Sequence, residues 1–323
     1  MTSMTGCVRA WMLTPGPDAV RFTTRGFTAT DPAARRRLEV VGETFLAGLD
    51  RGLAARDLTG LIPVLEGIGT DRRGFAFEGA AMGLALGDAL TPWNRNLFGR
   101  FQAGPGERHV YMAYVGAGWA MARLPRFRWR NITLRDPVLR WLALDGFGFH
   151  ETYFRTATVL QRRGGRLVRP PWPDPTGYAR RALDQGTGRA LWFVRGADVR
   201  AVAAEIGRFP VDRHADLWAG TGLAATYAGG AGVSDLRILA GLSGEYRPDL
   251  AQGAAFAAKA RLRAGLVQPE TVDAVGVLAG SGLAVAAGLT DEALVGLGGD
   301  EPGAPAFEVW RRRIRQDLAR VVS

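Results

Sequence analysis

The sequence predicts a mainly α-helical protein, a TPR-like or solenoid-like series of helical hairpins with loop decorations and little β-structure. Three runs of small residues begin at Gly186, Gly220 and Gly253, at intervals of 34 and 33 residues. A glycine stop follows each run, and a second amphipathic stretch comes after it, at 198–208, 234–242 and 269–278. A fixed period in the thirties is typical of helical-hairpin repeats.

The small residues need a physical reason, because a glycine inside a helix costs about 1 kcal/mol relative to alanine. In Gly186-x-Gly188-x-Ala190 the helix has a face almost without side chains. A neighbouring helix or a ligand can approach the backbone closely at such a face. Tight helix crossing and a ligand cleft are both open at this point.

The first half of the chain follows the same pattern with irregular spacing. Asp31 and Pro32 open a predicted helix to about residue 56, and further small-faced helices are predicted around Gly79, Gly116 and Gly146. We expect one compact unit with five parts: an N-terminal region with one long helix (1–75), a first helical half (76–158), a linker or strap (159–177), regular hairpin repeats (178–290) and a C-terminal basic helix (291–323).

Two segments depart from the small-residue pattern. Proline-rich sequence after residue 159 predicts a hairpin followed by an extended strap. The C-terminal helix is expected to dock on the last repeat or to contact an acidic partner or membrane surface, with its arginines on the solvated side. Its predicted apolar face consists of Phe307, Trp310, Ile314, Leu318 and Val321.

The strongly basic composition does not by itself indicate nucleic-acid binding. The formal charge is +10, but Lys259 is the only lysine, and arginine in place of lysine fits the coding bias of a GC-rich genome. A nucleic-acid surface requires arginines clustered on one face. Arg126, Arg128 and Arg130 come closest to such a cluster. We therefore expect no nucleic-acid partner.

The sequence lacks several features that would indicate secretion, a membrane span or a common catalytic motif. Cys7 is the only cysteine, and no apolar run reaches the roughly 18 residues of a membrane span, so we expect a cytoplasmic protein. Zinc-hydrolase, nucleophile-elbow and phosphate-loop motifs are missing. Gly186-x-Gly188 lacks the strand, third glycine and acid of a dinucleotide site.

Polar residues beside the small positions are the candidates for chemistry. In stacked helices these equivalent positions align along one surface, where a histidine beside a carboxylate can shuttle protons. Capping or buried structural hydrogen bonds are the alternative, and a metal held by His and Asp/Glu is a variant. The candidate catalytic residues, with no metal in the preferred version, are Glu78, His109, Asp145, His150, Asp184, Arg189 and Asp216.

A hydrophobic ligand in the groove between repeats would need aromatic walls and a polar contact. The candidate substrate-binding residues are Trp119, Phe149, Gln185, Trp192, Trp218 and Phe256. The sequence does not specify a reaction, a cofactor or an oligomeric state.

Several motifs in order resemble the DUF1702 family over about residues 22–315. They are Phe77-Glu78-Gly79-Ala80-Ala81-Met82, Asp145-Gly146-Phe147-Gly148-Phe149-His150, Asp184-Gln185-Gly186-x-Gly188-Arg189 and Asp216-Leu217-Trp218-x-Gly220-x-Gly222. The resemblance implies an accessory role in actinobacterial enediyne antibiotic biosynthesis, near the step that turns a linear polyene into the enediyne core. It carries no assigned catalytic residues.

Two functions follow as hypotheses. The first is an enzyme or enzyme subunit that binds a hydrophobic polyene or other polyketide-derived molecule. The second is a non-catalytic scaffold for other proteins of the enediyne cluster, including a membrane-embedded one, because helical repeats often bind protein partners.

Overall fold

The structure is a computed structural model that describes residues 13–91 and 95–322, apart from the side chain at 322; Cys7 lies outside this range. The described chain is mainly helical and has no β-strand, so the predicted all-α class is confirmed. Twelve helices of eight or more residues occur in it: α1 (Pro32–Ala54), α2 (Arg73–Leu90), α3 (Val110–Arg123), α4 (Trp141–Phe154), α5 (Ala179–Val194), α6 (Val199–Ile206), α7 (His214–Tyr227), α8 (Val233–Leu242), α9 (Arg247–Ala264), α10 (Pro269–Leu278), α11 (Leu283–Glu292) and α12 (Ala306–Val322).

The longer helices pack in chain order into one row. Each helix in the series α1, α2, α3, α4, α5, α7 and α9 contacts the next, while α11 and α12 pack on α9. The shorter helices α6, α8 and α10 form a second row on the outside. The inner row bends back on itself, so that α1 lies close to the end of α7. Arg37 of α1 donates a 2.8 Å hydrogen bond to the carbonyl of Ala228, just after α7.

Paired glycines bring consecutive inner helices into direct backbone contact. A Cβ built on Gly186 of α5 would lie 1.8 Å from the Asp145 carbonyl oxygen of the preceding helix α4. A Cβ on Gly188 would lie 2.0 Å from the Leu217 oxygen of the following helix α7. The first glycine of each pair thus faces the previous helix and the second faces the next. The same arrangement holds for Gly116 and Gly118, Gly146 and Gly148, and Gly220 and Gly222.

The helix ends follow the predicted signals. Asp31 accepts a hydrogen bond from the Ala33 backbone N–H at the start of α1, and Asp198 accepts from two N–H groups at the start of α6. Gly196 and Gly265 both have positive φ at the breaks after α5 and α9. Glycine adopts this conformation without a Cβ penalty, which places the breaks where the sequence puts them.

Two segments differ from expectation. No hairpin forms after residue 159, because Thr156–Arg162 is helical and the irregular strap begins at Arg163. In α12 the predicted apolar face is buried except for Val321, which is 50% exposed. Arg311 of the same helix is fully buried rather than solvated. Its guanidinium can be buried because it donates hydrogen bonds to buried partners such as Asp216.

A membrane-spanning helix must be both long and apolar. Among the described residues, no single helix is long and apolar enough to cross a bilayer. The bent pair α10 and α11, with 67° between them, satisfies length and composition only when both helices are taken together.

A methyl group at the closest helix contact tests the packing. We expect Gly186→Ala to lower the free energy of unfolding by about 3 kcal/mol or more, because backbone atoms must move apart to admit the Cβ. The matched control is Gly276→Ala at an exposed position of α10, where a Cβ meets nothing within 4 Å. Its expected effect is a stabilisation of up to about 1 kcal/mol. Urea denaturation measures both, and equal effects would contradict the role given to the glycines.

Candidate functional site

A cavity lies at the centre of the curved inner row. Side chains from α1, α2, α3, α4, α5 and α7 line it, and about 40 Å³ of it is accessible to water-sized molecules. Eight aromatic side chains make up much of the wall, namely Phe45, Phe75, Trp119, Phe149, Tyr153, Phe154, Phe193 and Tyr227. Such a wall favours a flat or elongated apolar ligand.

A buried charged cluster forms the polar part of this wall. Arg189 of α5 makes a close ion pair with Asp145 of α4, and a nitrogen of the same guanidinium lies 3.9 Å from the carboxylate of Glu78 on α2. Gln185 donates a 2.9 Å hydrogen bond to the other oxygen of Asp145. Gln185 and Arg189 are one helical turn apart, so both reach across the glycine contact to α4.

The protonation state of Glu78 is set mainly by its burial. Removal from water raises the pKa of Glu78 to about 7, and the negative charge of Asp145 adds to this. Arg189 and the nearby Trp119 indole favour the ionised form and lower the pKa in part. The carboxyl therefore exchanges a proton near neutral pH, which suits a general acid or base.

Several buried polar atoms near this cluster lack a hydrogen-bond partner. They include the hydroxyl oxygen of Tyr227, a residue of the cavity wall, and the amide oxygen of Gln185, a residue outside that wall. Buried polar atoms in folded proteins are nearly always paired, with protein, water or ligand. The Tyr227 hydroxyl therefore marks a place in the cavity for the polar group of a bound molecule or for ordered water.

A second cavity lies on the far side of Arg189. It has about 30 Å³ accessible to water-sized molecules and reaches α9 and α12, where Phe256 and Trp310 line it. Arg189, Leu223 and Tyr227 line both cavities and form the partition between them. Lys259 also lines the second cavity, and its ammonium lies 2.5 Å from the carboxylate of Asp291.

The histidines do not join the charged cluster. His109 stacks on Phe77 with ring centroids 3.7 Å apart, and burial together with Arg73 and Arg108 lowers its pKa to about 4. His150 packs against Trp119, and burial followed by nearby arginines lowers its pKa to about 3. Both rings are thus neutral near pH 7. In this structure Asp145 pairs with Arg189 and Gln185 rather than with His150.

The two remaining candidate carboxylates belong to separate clusters. Asp184 makes a close ion pair with Arg213, away from the central cavity. Asp216 accepts from Arg181 at 2.8 Å and from Arg311 at 2.6 Å.

Arg311 ties α12 to the rest of the core. Besides Asp216, it donates to the Gln252 side-chain oxygen at 2.8 Å, to the Tyr178 hydroxyl at 2.8 Å and to Glu308 at 3.2 Å. The three arginines around Glu308 outweigh its burial and hold its pKa down, to about 2. This cluster fixes the C-terminal helix and lines neither central cavity.

The predicted substrate-binding residues divide in the same way. Trp119 and Phe149 line the first cavity and Phe256 lines the second. Trp192 instead donates a 2.8 Å hydrogen bond to the Gly229 carbonyl within the core, and Trp218 is also buried outside both cavity walls.

Sequence reasoning missed much of the cavity wall. Phe45 lies within the helix that Asp31 and Pro32 are predicted to open, and Phe75 precedes a predicted small-faced helix. Only the bend of the inner row could assign them to a cavity. Tyr227 was missed because its role depends on Gly74, where a Cβ would lie 2.0 Å from the Tyr227 hydroxyl. Helical periodicity carries no signal for such a contact.

The metal variant of the site receives no geometric support. Within residues 13–91 and 95–322, no group of three or more His, Cys, Asp or Glu residues is arranged to hold a metal ion.

Comparison with known proteins gives one match. The model of a family described as "Protein of unknown function (DUF1702)" matches residues 4–318. No curated protein and no solved structure matches the chain.

Replacing the buried carboxyl tests its protonation. Between its ordinary pKa of 4.5 and its folded pKa of about 7, Glu78 keeps a proton in the folded state that the unfolded state releases. The free energy of unfolding therefore falls as pH rises through this interval, by on the order of 3 kcal/mol for one such group. We expect Glu78→Gln to lack this decline.

Urea denaturation of both proteins at about pH 5 and about pH 8 measures the difference between their slopes. His109 and His150 have lowered pKa values, so they remove stability as pH falls, but they do so in both proteins and cancel. Parallel pH profiles for wild type and variant would show that Glu78 is ionised throughout.

Proposed function

The chain belongs to the DUF1702 family, and we propose that it binds a hydrophobic polyene or related polyketide-derived molecule in the central cavity and transfers protons to it through Glu78. The observation that carries the proposal is a buried carboxyl with a pKa near 7 in an aromatic-walled cavity. The enediyne pathway comes from the resemblance described above, and it makes the linear polyene of core formation the preferred substrate.

The shape of the interior supports an elongated ligand. The two cavities adjoin at Arg189, Leu223 and Tyr227, and both have mainly apolar walls. Each one alone admits only small molecules, so a polyene must displace the partition. Leu223 is the member of the partition without a charge or hydroxyl, and its rotation would join the two spaces.

The chemistry follows from the charges around Glu78. A protonated carboxyl can give its proton to one carbon of a conjugated chain and accept a proton back from another, which shifts the double bonds without a net redox change. Arg189 stabilises the carboxylate left behind. The faces of Trp119, Phe149 and Tyr227 can stabilise the positive charge that develops on the chain.

The helical-hairpin repeat is part of the same proposal. It is supported by the helix pairs α5 and α6, α7 and α8, and α9 and α10, in which the second helix lies in the outer row. In a curved array of this kind the inner helices can enclose a ligand while the outer helices stay free for other contacts.

A scaffold that assembles other enediyne-cluster proteins is the alternative function. Exposed apolar side chains on the outer and C-terminal helices favour it, among them Leu242 of α8, Val272 of α10 and Val285 of α11. This role requires the outer surface and does not require Glu78.

One substitution distinguishes the two proposed functions. We expect Glu78→Gln, which keeps the shape of the side chain but cannot exchange a proton, to lower formation of the core product by on the order of 10²-fold or more in a strain that depends on this chain. The control is Glu66→Gln on the surface. Normal product from a folded Glu78→Gln protein would reject proton transfer and leave the scaffold. This variant is cleaner than Asp145→Ala, which leaves Arg189 buried without its ion pair.

Filling the partition tests ligand binding apart from chemistry. We expect Leu223→Trp to weaken binding of a fluorescent linear polyene, parinaric acid, by about tenfold or more, because the added ring occupies the space that the ligand needs. Val272→Trp on exposed α10 adds the same ring elsewhere and should bind as wild type does. Polyene fluorescence in a titration reports binding, and equal affinities for both variants would place the ligand outside the cavity.

A further inference from the structure

A third cavity, on the other side of α4 and α5, is lined by arginines. It has about 320 Å³ accessible to water-sized molecules, several times more than either central cavity. Five arginines and two carboxylates line it, namely Arg162, Arg163, Arg166, Arg180, Arg213, Glu151 and Asp184. We call it the arginine pocket, and we propose that it binds a phosphate-type oxyanion, either free or as a phosphate monoester.

Three of the arginines are held in place by their surroundings. Arg213 is buried, pairs closely with Asp184 and donates to the Arg163 carbonyl oxygen, which fixes the start of the strap. Arg163 pairs with Glu205 at 2.8 Å, and the Arg166 guanidinium lies 5.1 Å from the centre of the Phe147 ring. The pocket is therefore preorganised, which lowers the entropy cost of binding an anion.

Neighbouring carboxylates neutralise only part of the pocket's positive charge, since Arg163, Arg180 and Arg213 pair with Glu205, Asp212 and Asp184. No carboxylate in the described part of the chain pairs with Arg162 or Arg166. Glu205 is shared among Arg163, Arg195 and Arg208, and Glu151 also pairs with Arg155 at 3.4 Å. The surplus of guanidinium groups extends beyond the wall itself.

The field of these arginines reaches neighbouring groups. Of the charges that lower the pKa of His150 after burial, Arg166 belongs to the pocket, while Arg123 and Arg155 lie outside its wall. A positive potential of this kind attracts anions, and several guanidinium groups in a concave site bind an oxyanion through paired N–H···O bonds. A phosphate dianion suits the pocket better than a carboxylate, because it offers more charge and more acceptor oxygens.

The glycines of the strap leave room for the ligand. Gly164 and Gly165 line the pocket between Arg163 and Arg166, so the wall is backbone at that point. The Gly164 N–H donates to the Val159 carbonyl at 2.9 Å, so an anion here is bound mainly by the arginine side chains. The proposal does not depend on the polyene function, because Glu78 and Arg189 lie outside this pocket.

Anion-dependent thermal stability tests the site. With ionic strength held constant by sodium chloride, we expect inorganic phosphate, pyrophosphate and butyl phosphate to raise Tm in a saturable manner, and acetate to leave it unchanged. If the Tm shift saturates at a lower concentration of butyl phosphate than of inorganic phosphate, the ligand is a phosphate monoester. The reverse order identifies a free anion. Absence of a saturable shift with all three phosphates would overturn the proposal.

A pair of matched double variants distinguishes phosphate binding in the pocket from a response to the net charge of the protein. We expect Arg162→Gln with Arg166→Gln to reduce phosphate affinity about tenfold or more in isothermal titration, with Tm unchanged in the absence of phosphate. Arg126→Gln with Arg130→Gln removes the same charge from exposed positions and should bind phosphate as wild type does. Equal loss in both double variants would mean that phosphate responds only to net charge and would overturn the assignment.

Discussion

Backbone contact between consecutive inner helices is the constraint on which the rest of the structure depends. At Gly186 and Gly188 the α5 backbone lies against carbonyl oxygens of α4 on one side and α7 on the other. Side chains on the flanking turns then meet at short range across each interface. The helices α3, α4, α5 and α7 are held in this way on two sides. The row encloses a space that side chains from six helices line.

The buried charged cluster is a consequence of this geometry. Asp145, Gln185 and Arg189 are next to the contact glycines, so burial of the backbone contact also buries their polar groups. A buried ion pair adds little net stability, because desolvation offsets its attraction. Two carboxylates share one arginine here, so one carboxyl, Glu78, is left to hold a proton. A site with this property suits proton transfer better than it suits stabilisation.

The same two helices divide the protein into chemically different compartments. On α4, Phe149 and Tyr153 face the aromatic cavity, while Gly148 and Glu151 face the arginine pocket. On α5, Arg189 and Phe193 face the first and Asp184 the second. A ligand with an apolar chain and a ligand with a phosphate group would therefore be bound on opposite faces of one helix pair, at a distance set by the thickness of that pair.

The sequence by itself determined the helical class, several breaks and the helix faces without side chains, because these depend on neighbours in the chain. Examples are the cap at Asp31, the positive φ at Gly196 and the paired glycines. It also identified Asp145, Gln185 and Arg189 as polar residues beside contacts. Only the tertiary structure decided which of them meet. In the folded chain Glu78 lies near Arg189, Asp184 pairs with Arg213, and Asp216 pairs with the buried Arg311. These pairs depend on how the stacked helices are oriented, which all the helix interfaces determine together and no local sequence pattern encodes.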